Sequence, residues 1–397
     1  MTQLLDIPYI DVLDPAFHFA SPQISAAREQ HWYARTPVGL LILRYQEAAD
    51  LLADTRLSPT GSGHLALHGI TSGPIHRYLG SNMSSTERDN HVKLRAVLAP
   101  FLSPRRLAEA KGLARTTAHD LADRLTTDGS PSDLMADFAD PLALSLFCHL
   151  TGLPADELQP YGSASADVGL VFALSLNTEL RHQVEHSLQS LFSYIEQAMA
   201  ARRATPSGTD LISALMKTGL PTHQQTSFLV SVIMGGHDAP MHQLGCALVA
   251  LAEHPDQWER LAQDPALIPG AAEESLRWSA HTHTLRFAVE DLEVAGLAMA
   301  RGDMAAVCNW SANRDPRAFD RPDLFDITRP RGRLPLAFGG GPFFCPGSAL
   351  GKMVIEVGVE ALTQRYTAPA TAGPVRWRPA LAAAYGPQHL PLVLQER

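Results

Sequence analysis

The stretch LAFGGGPFFCPGSALGKMVIE, residues 336–356, sets Cys345 just ahead of a helix-like run, behind Gly339, Gly340 and Gly341 and before Pro346 and Gly347. A helix N-terminus offers free N–H groups and the positive end of its dipole, which favour a thiolate over a thiol. Glycines let a backbone come close to a flat partner. Together these features suit a thiolate ligand to an iron porphyrin; the plain alternative is a buried cysteine in a glycine-rich turn. A second feature is GGHDAP, residues 235–240, in the middle of the most hydrophobic helical stretch. Inside a helix a Gly costs roughly 1 kcal/mol and a Pro about 3 kcal/mol, so a defect that combines Gly235, Gly236 and Pro240 needs a reason. Asp238 supplies an acid at that point. Two charged pairs have helical spacing: Glu274 with Arg277, three apart, and His91 with Arg95, four apart. Each pair shares a helix face and could by itself be an ordinary surface pair.

The elements that would carry these residues follow from periodicity. PVGLLILRY (37–45) is strand-like and QEAADLLAD after it has helical spacing. Residues 56–82 are rich in Gly, Ser, Pro and His with little period, which predicts a long loop, and loops of that length are usually functional. From about 87 to 280 apolar residues recur at three and four, predicting successive helices. After 282 short β-like runs take over, then a segment dense in Pro, Asp and Arg. SALGKMVIEVGVEALTQRY resumes helical spacing over about 347–366. The expected layout is mainly α with a small β portion, about 30–60 and 282–335, in one domain spanning 1–397.

Composition narrows the function. The chain has 397 residues, 45% hydrophobic and 18% charged, which suits a folded protein with a large interior. A net charge of -9 argues against nucleic acid or an anionic membrane as the main partner. No apolar run is long enough to span a bilayer, and no basic-then-apolar leader is visible. Cys148, Cys246, Cys308 and Cys345 lack paired spacing, so a disulfide framework or structural zinc is not expected. A cytoplasmic protein with reduced thiols is the expectation.

The cysteine stretch resembles the ligand loop of the cytochrome P-450 family, F-G-x-G-x-H/R-x-C-x-G, with Phe338, Gly339, Gly341, Cys345 and Gly347 in register. Phe343 stands where the family usually has a basic residue for a haem propionate. Glu274-Ser-Leu-Arg277 is similar to the family's E-x-x-R, a buried ion pair behind the cysteine loop. His91 and Arg95 are similar to its H-x-x-x-R, which reaches the propionates, and Arg286 would meet a propionate from another side. The likeness runs from about residue 30 to 394. It implies a triangular-prism fold with a long kinked central helix over haem b, and Cys345 as the iron ligand.

The same resemblance implies a haem-thiolate monooxygenase acting on a natural-product intermediate. Electrons would come from NAD(P)H through a separate ferredoxin or flavodoxin and its reductase. The implied pocket draws on His64, Leu65, Leu67, Val168, Leu170, Val171, Phe172, Gly235 and Thr284. In the family, GGHDAP corresponds to A-G-x-D/E-T, whose acid and threonine relay protons; here Ala239 replaces the threonine. Pro240 has no N–H and would free the Gly236 carbonyl, leaving Asp238, that carbonyl, water and a substrate hydroxyl for proton delivery. Relatives without the threonine often act on substrates that carry a hydroxyl, which points to a polyketide, aromatic or acid, free or tethered to a carrier protein. A peroxide-driven peroxygenase and a non-catalytic haem-thiolate sensor are the two alternatives. A monomer without membrane contact is expected.

Overall fold

The computed structural model describes residues 7–397 other than 15, 60–61, 84–87, 205–207, 209, 281–282 and 379–384. Its centre is the apolar stretch around GGHDAP, which forms a helix Thr222–Ile233, a π turn Met234–Asp238 and a second helix Ala239–Glu253. Backbone angles stay helical through the junction, and the Ala239 N–H reaches back five residues to the Met234 carbonyl. The expected kink is therefore realised as a widened turn rather than a break. The same thing happens at a π turn Met135–Ala139, which runs into the helix Asp140–Thr151. In both cases proline, Pro141 or Pro240, is the second residue of the following helix. A proline has no N–H to give to the preceding turn, and a π turn absorbs that gap.

Apolar faces decide the packing. Helix Ser348–Arg365, which leads away from Cys345, packs on Pro104–Ala122, Ala239–Glu253 and Ile268–Trp278. Leu244, Leu248, Val354, Val357 and Leu362 are buried between them. A second apolar cluster gathers around the long helix Thr178–Ala204 and the 222–233 helix, including Tyr78, Phe147, Val171 and Phe228.

The main sheet has five strands in the order 33–36, 39–42, 304–308, 283–288, 57–58. The 39–42 and 304–308 strands are parallel, Leu41 opposite Ala306, and the other pairs are antiparallel. Further strands lie outside the expected β spans, at 132–133 and between 370 and 393. They are too short to leave a period-2 signal. The long loop expected over 56–82 is corrected: it contains the helices Ser62–Leu67 and Gly73–Leu79. Ile75, Tyr78 and Leu79 form a buried face that glycine, serine and histidine residues obscure in the sequence. Among the described residues no helix is long and apolar enough to cross a membrane.

Candidate active site

The fold brings the cysteine loop and the π turn onto one apolar cleft of about 140 Å³, whose lining includes Cys345, Gly347, Leu350, Val232, Gly235 and Gly236. Gly236 is close-packed: a Cβ there would lie 2.4 Å from Phe147 Cδ2. The loop is held by its backbone, with the Cys345 N–H donating to the Phe338 carbonyl at 3.0 Å. Gly341 has φ +61° and would place a Cβ 2.4 Å from the Leu52 carbonyl oxygen, so only glycine fits. Gly339 also has positive φ. The Phe338 ring lies over Gly351, on the first turn of the following helix.

The Cys345 thiol departs from expectation. Burial raises its pKa, against the lowering effects of the Gly347 N–H and the Arg95 charge. The helix-start effect is outweighed by desolvation. A metal ion deprotonates a coordinating thiol outright.

Two arginines and a histidine converge beside the loop. Arg286 is buried, gives Nη1 to the Leu285 carbonyl at 2.9 Å, and has no partner for Nε or Nη2 among the described residues. Burial pushes its pKa down to about 10. His91 Nδ1 donates to the Met83 carbonyl at 2.8 Å, while Nε2 has no partner among the described residues. Arg95 Nη1 donates to the Phe344 carbonyl at 2.9 Å, tying its helix to the cysteine loop. Phe343 fills the space between them, its ring 5.4 Å from the Arg286 guanidinium carbon and 5.0 Å from the His91 ring. Leaving buried donors unpaired costs about 1–3 kcal/mol each. The unpaired Arg286 donors therefore fit an anionic group, and the carboxylates of a haem seated against Cys345 would satisfy them.

Behind the loop, Glu274 and Arg277 are both buried and joined by two hydrogen bonds of 2.8 and 2.7 Å. Sequence reasoning missed the third member, Arg329, whose Nε donates to Glu274 at 3.0 Å. It lies in the irregular Pro- and Arg-rich segment, where spacing carries no signal.

Asp238 is buried but is not part of the cleft wall. Arg378 Nη1 donates to its Oδ2 at 2.9 Å, and His242 lies 3.3 Å from Oδ1. Burial works to raise its pKa; His242 and Arg378 outweigh that and hold it below the usual carboxylate value. Asp238 thus sits between Arg378 and His242, next to the cleft lining rather than in it. Ala239 and Pro240 continue the helix beyond the π turn, outside the cleft lining. The spacing of Asp238 and His242 could have flagged the His contact; Arg378, 140 residues away, left no local trace.

The expected pocket residues divide. His64 is buried with Nε2 bonded to the Val171 carbonyl at 2.8 Å, and its ring stands edge-on to Phe172. Val168, Leu170 and Val171 join one apolar cluster, with Leu65 and Phe172 packed against it. Leu67 instead borders a groove with Gly63, Phe287 and Met304 on the sheet side. Thr284 accepts a hydrogen bond from Asn309 at 3.2 Å. Missed altogether were His68, bonded to the Ala173 backbone, and His283, bonded to the Phe172 carbonyl at 2.9 Å.

A cysteine at a helix start, a cleft under a π turn and buried Arg286 donors beside the loop fit a haem-thiolate site. The cytochrome P450 family model matches residues 266–373. Over 393 residues the chain is 36% identical to luteothin monooxygenase of Streptomyces thioluteus, covering 98% of this chain and 96% of that protein. It is 30% identical to 6-deoxyerythronolide B hydroxylase of Saccharopolyspora erythraea, covering 89% and 90%. The structure of P450BioI in complex with hexadec-9Z-enoic acid ligated acyl carrier protein superposes with a TM-score of 0.86 at 25% identity, covering 94% of this chain and 97% of that one. The chain belongs to the cytochrome P450 family and is a monooxygenase. When bound, the haem supplies the oxygen chemistry, its thiolate ligand favouring O–O cleavage.

Proposed function

We propose that this monooxygenase adds an oxygen atom to a polyketide intermediate in antibiotic biosynthesis. The 36% identity to luteothin monooxygenase along nearly the whole chain carries this reading, and the apolar cleft beside Cys345 agrees with it. Cys345 ligates the iron, and His91, Arg95 and Arg286 bind the propionates. Phe343 orients the last of these, in place of a direct basic contact. Gly235 and Gly236 leave room above the iron, Pro240 keeps the turn wide, and Asp238 takes part in proton delivery where Ala239 offers no hydroxyl. Electrons come from NAD(P)H through a ferredoxin or flavodoxin and its reductase. The likeness to a P450 seen with an acyl carrier protein makes a carrier-tethered substrate the second form to test.

The test uses the haem-loaded protein titrated with luteothin, then with polyketide acids free and carrier-bound. A low- to high-spin absorbance shift is expected, followed by a product that incorporates oxygen from labelled O₂ when ferredoxin, reductase and NADPH are supplied. Absence of a shift with every polyketide tried would overturn the substrate class. Equal turnover with peroxide alone would favour a peroxygenase.

A further inference from the structure

Asp238 closes the π turn that borders the cleft and His242 lies one helical turn beyond it, both buried. His242 Nδ1 is 2.9 Å from the Pro387 carbonyl oxygen. A carbonyl only accepts, so Nδ1 carries a hydrogen. Nε2 then faces Asp238 Oδ1 at 3.3 Å, and Oδ1 has no aligned hydrogen bond among the described residues. An ionised Asp238 opposite a neutral His242 would set two lone pairs against each other in a dry interior, where an unmet polar contact is costly. One proton between Nε2 and Oδ1 removes the conflict. The cluster of Arg378, Asp238 and His242 then holds one proton more than a simple Arg–Asp ion pair.

Its surroundings suit a store of that kind. Cys246 and Tyr385 are the nearby alternatives; burial pushes the Cys246 thiol up to about 12 and raises the Tyr385 phenol, so neither gives up a proton readily. The same π turn carries His237, whose Nε2 is 2.6 Å from Asp140, a carboxylate with 41% of its side chain exposed. The turn thus lies between a half-exposed carboxylate on one side and the cleft, at Gly235 and Gly236, on the other.

We infer that His242 is the proton-holding partner of Asp238, and that the pair takes over from the alcohol missing at Ala239. This rests on the monooxygenase reading above. In the step, a proton leaves the Nε2···Oδ1 pair by way of Asp238, the last residue of the turn that borders the cleft, and one proton from solvent restores the pair. No heavy-atom bond changes and no electron moves among these residues. His242 is a positioning and proton-holding residue, since it touches neither cofactor nor substrate.

Two measurements decide it. In ¹⁵N-histidine-labelled holoenzyme, held as the ferrous carbon monoxide form, the His242 Nε2 resonance, assigned by its loss in His242→Gln, should report a protonated or strongly hydrogen-bonded nitrogen at neutral pH. A resonance of a bare imidazole nitrogen overturns the inference. The Gln variant retains an amide N–H for Pro387 and has no titratable proton. With luteothin, ferredoxin, reductase and NADPH, it should yield about tenfold less product per NADPH, with peroxide making up the difference, while haem content and melting temperature hold. Unchanged coupling also overturns it. If luteothin fails to shift the spectrum, the substrate reading falls and the nitrogen resonances still decide this one.

Discussion

At the residue scale, neighbouring glycines in GGHDAP face different constraints. A methyl at Gly236 runs into the Phe147 ring, whereas one at Gly235 meets no side chain or neighbouring segment among the described residues. Gly236→Ala should therefore cost about 1–3 kcal/mol through overpacking. Gly235→Ala should be neutral or gain up to about 1 kcal/mol from helix propensity, while intruding on the cleft. Urea unfolding of the two variants separates them; equal destabilisation would refute the packing argument. Phe343 poses a related question, because it sits between His91 and Arg286 where the family usually has a cation. A cation over an aromatic face contributes about 0.5–2 kcal/mol. Phe343→Ala should release haem to apomyoglobin several-fold faster, and an unchanged transfer rate would mean the ring only fills space.

At the scale of elements, three histidines hold the end of the turn Gly169–Phe172 and the residue after it against the helix Ser62–Leu67 and the strand His283–Ala288. His64, His283 and His68 bond the backbones of Val171, Phe172 and Ala173 in turn. Burial pushes the pKa of His64 and His283 down to about 4, against the smaller raising effect of each carbonyl contact. In the unfolded chain these rings take up a proton near pH 6.5. Between about pH 6.5 and 4 the unfolded state thus binds more protons, so stability is full above that window and falls as pH drops through it. Each ring can account for up to about 3 kcal/mol. Melting temperature should decline from pH 7 to 4.5, and the decline should flatten in a His64→Gln, His283→Gln double variant. An unchanged slope in that variant would remove these histidines as the cause.

For the molecule as a whole, the Glu274 carboxylate connects distant segments. It accepts from Arg277, from Arg329 and from the Asp326 N–H, and Arg277 in turn donates to the Asn313, Pro322 and Leu324 carbonyls. The helix Ile268–Trp278 is thereby fastened to the irregular chain that leads to the cysteine loop. Removing one partner of a buried ion pair leaves an uncompensated charge, at a cost of about 3–5 kcal/mol. Glu274→Gln should lower the urea midpoint accordingly and reduce haem incorporation on expression. A loss below about 1 kcal/mol would show that the network is replaceable by neutral hydrogen bonds.

The ligand loop around Cys345, the Glu274–Arg277 pair and the helix defect at GGHDAP were legible in the sequence because each is local. Turn glycines, i to i+3 charge pairs and a proline without an N–H act within a few residues of themselves. The two helices inside 56–82 escaped because their apolar faces are short and interrupted by small polar residues. The partners that set Asp238, His64 and Glu274 in place were illegible for a different reason. Arg378, the Val171 carbonyl and Arg329 lie 140, 107 and 55 residues from them. The sequence alone determined which residues could bind an iron porphyrin. Only the tertiary structure decided that Asp238 lies outside the cleft lining, because the charge of Arg378, which long-range packing delivers, holds it there beside His242.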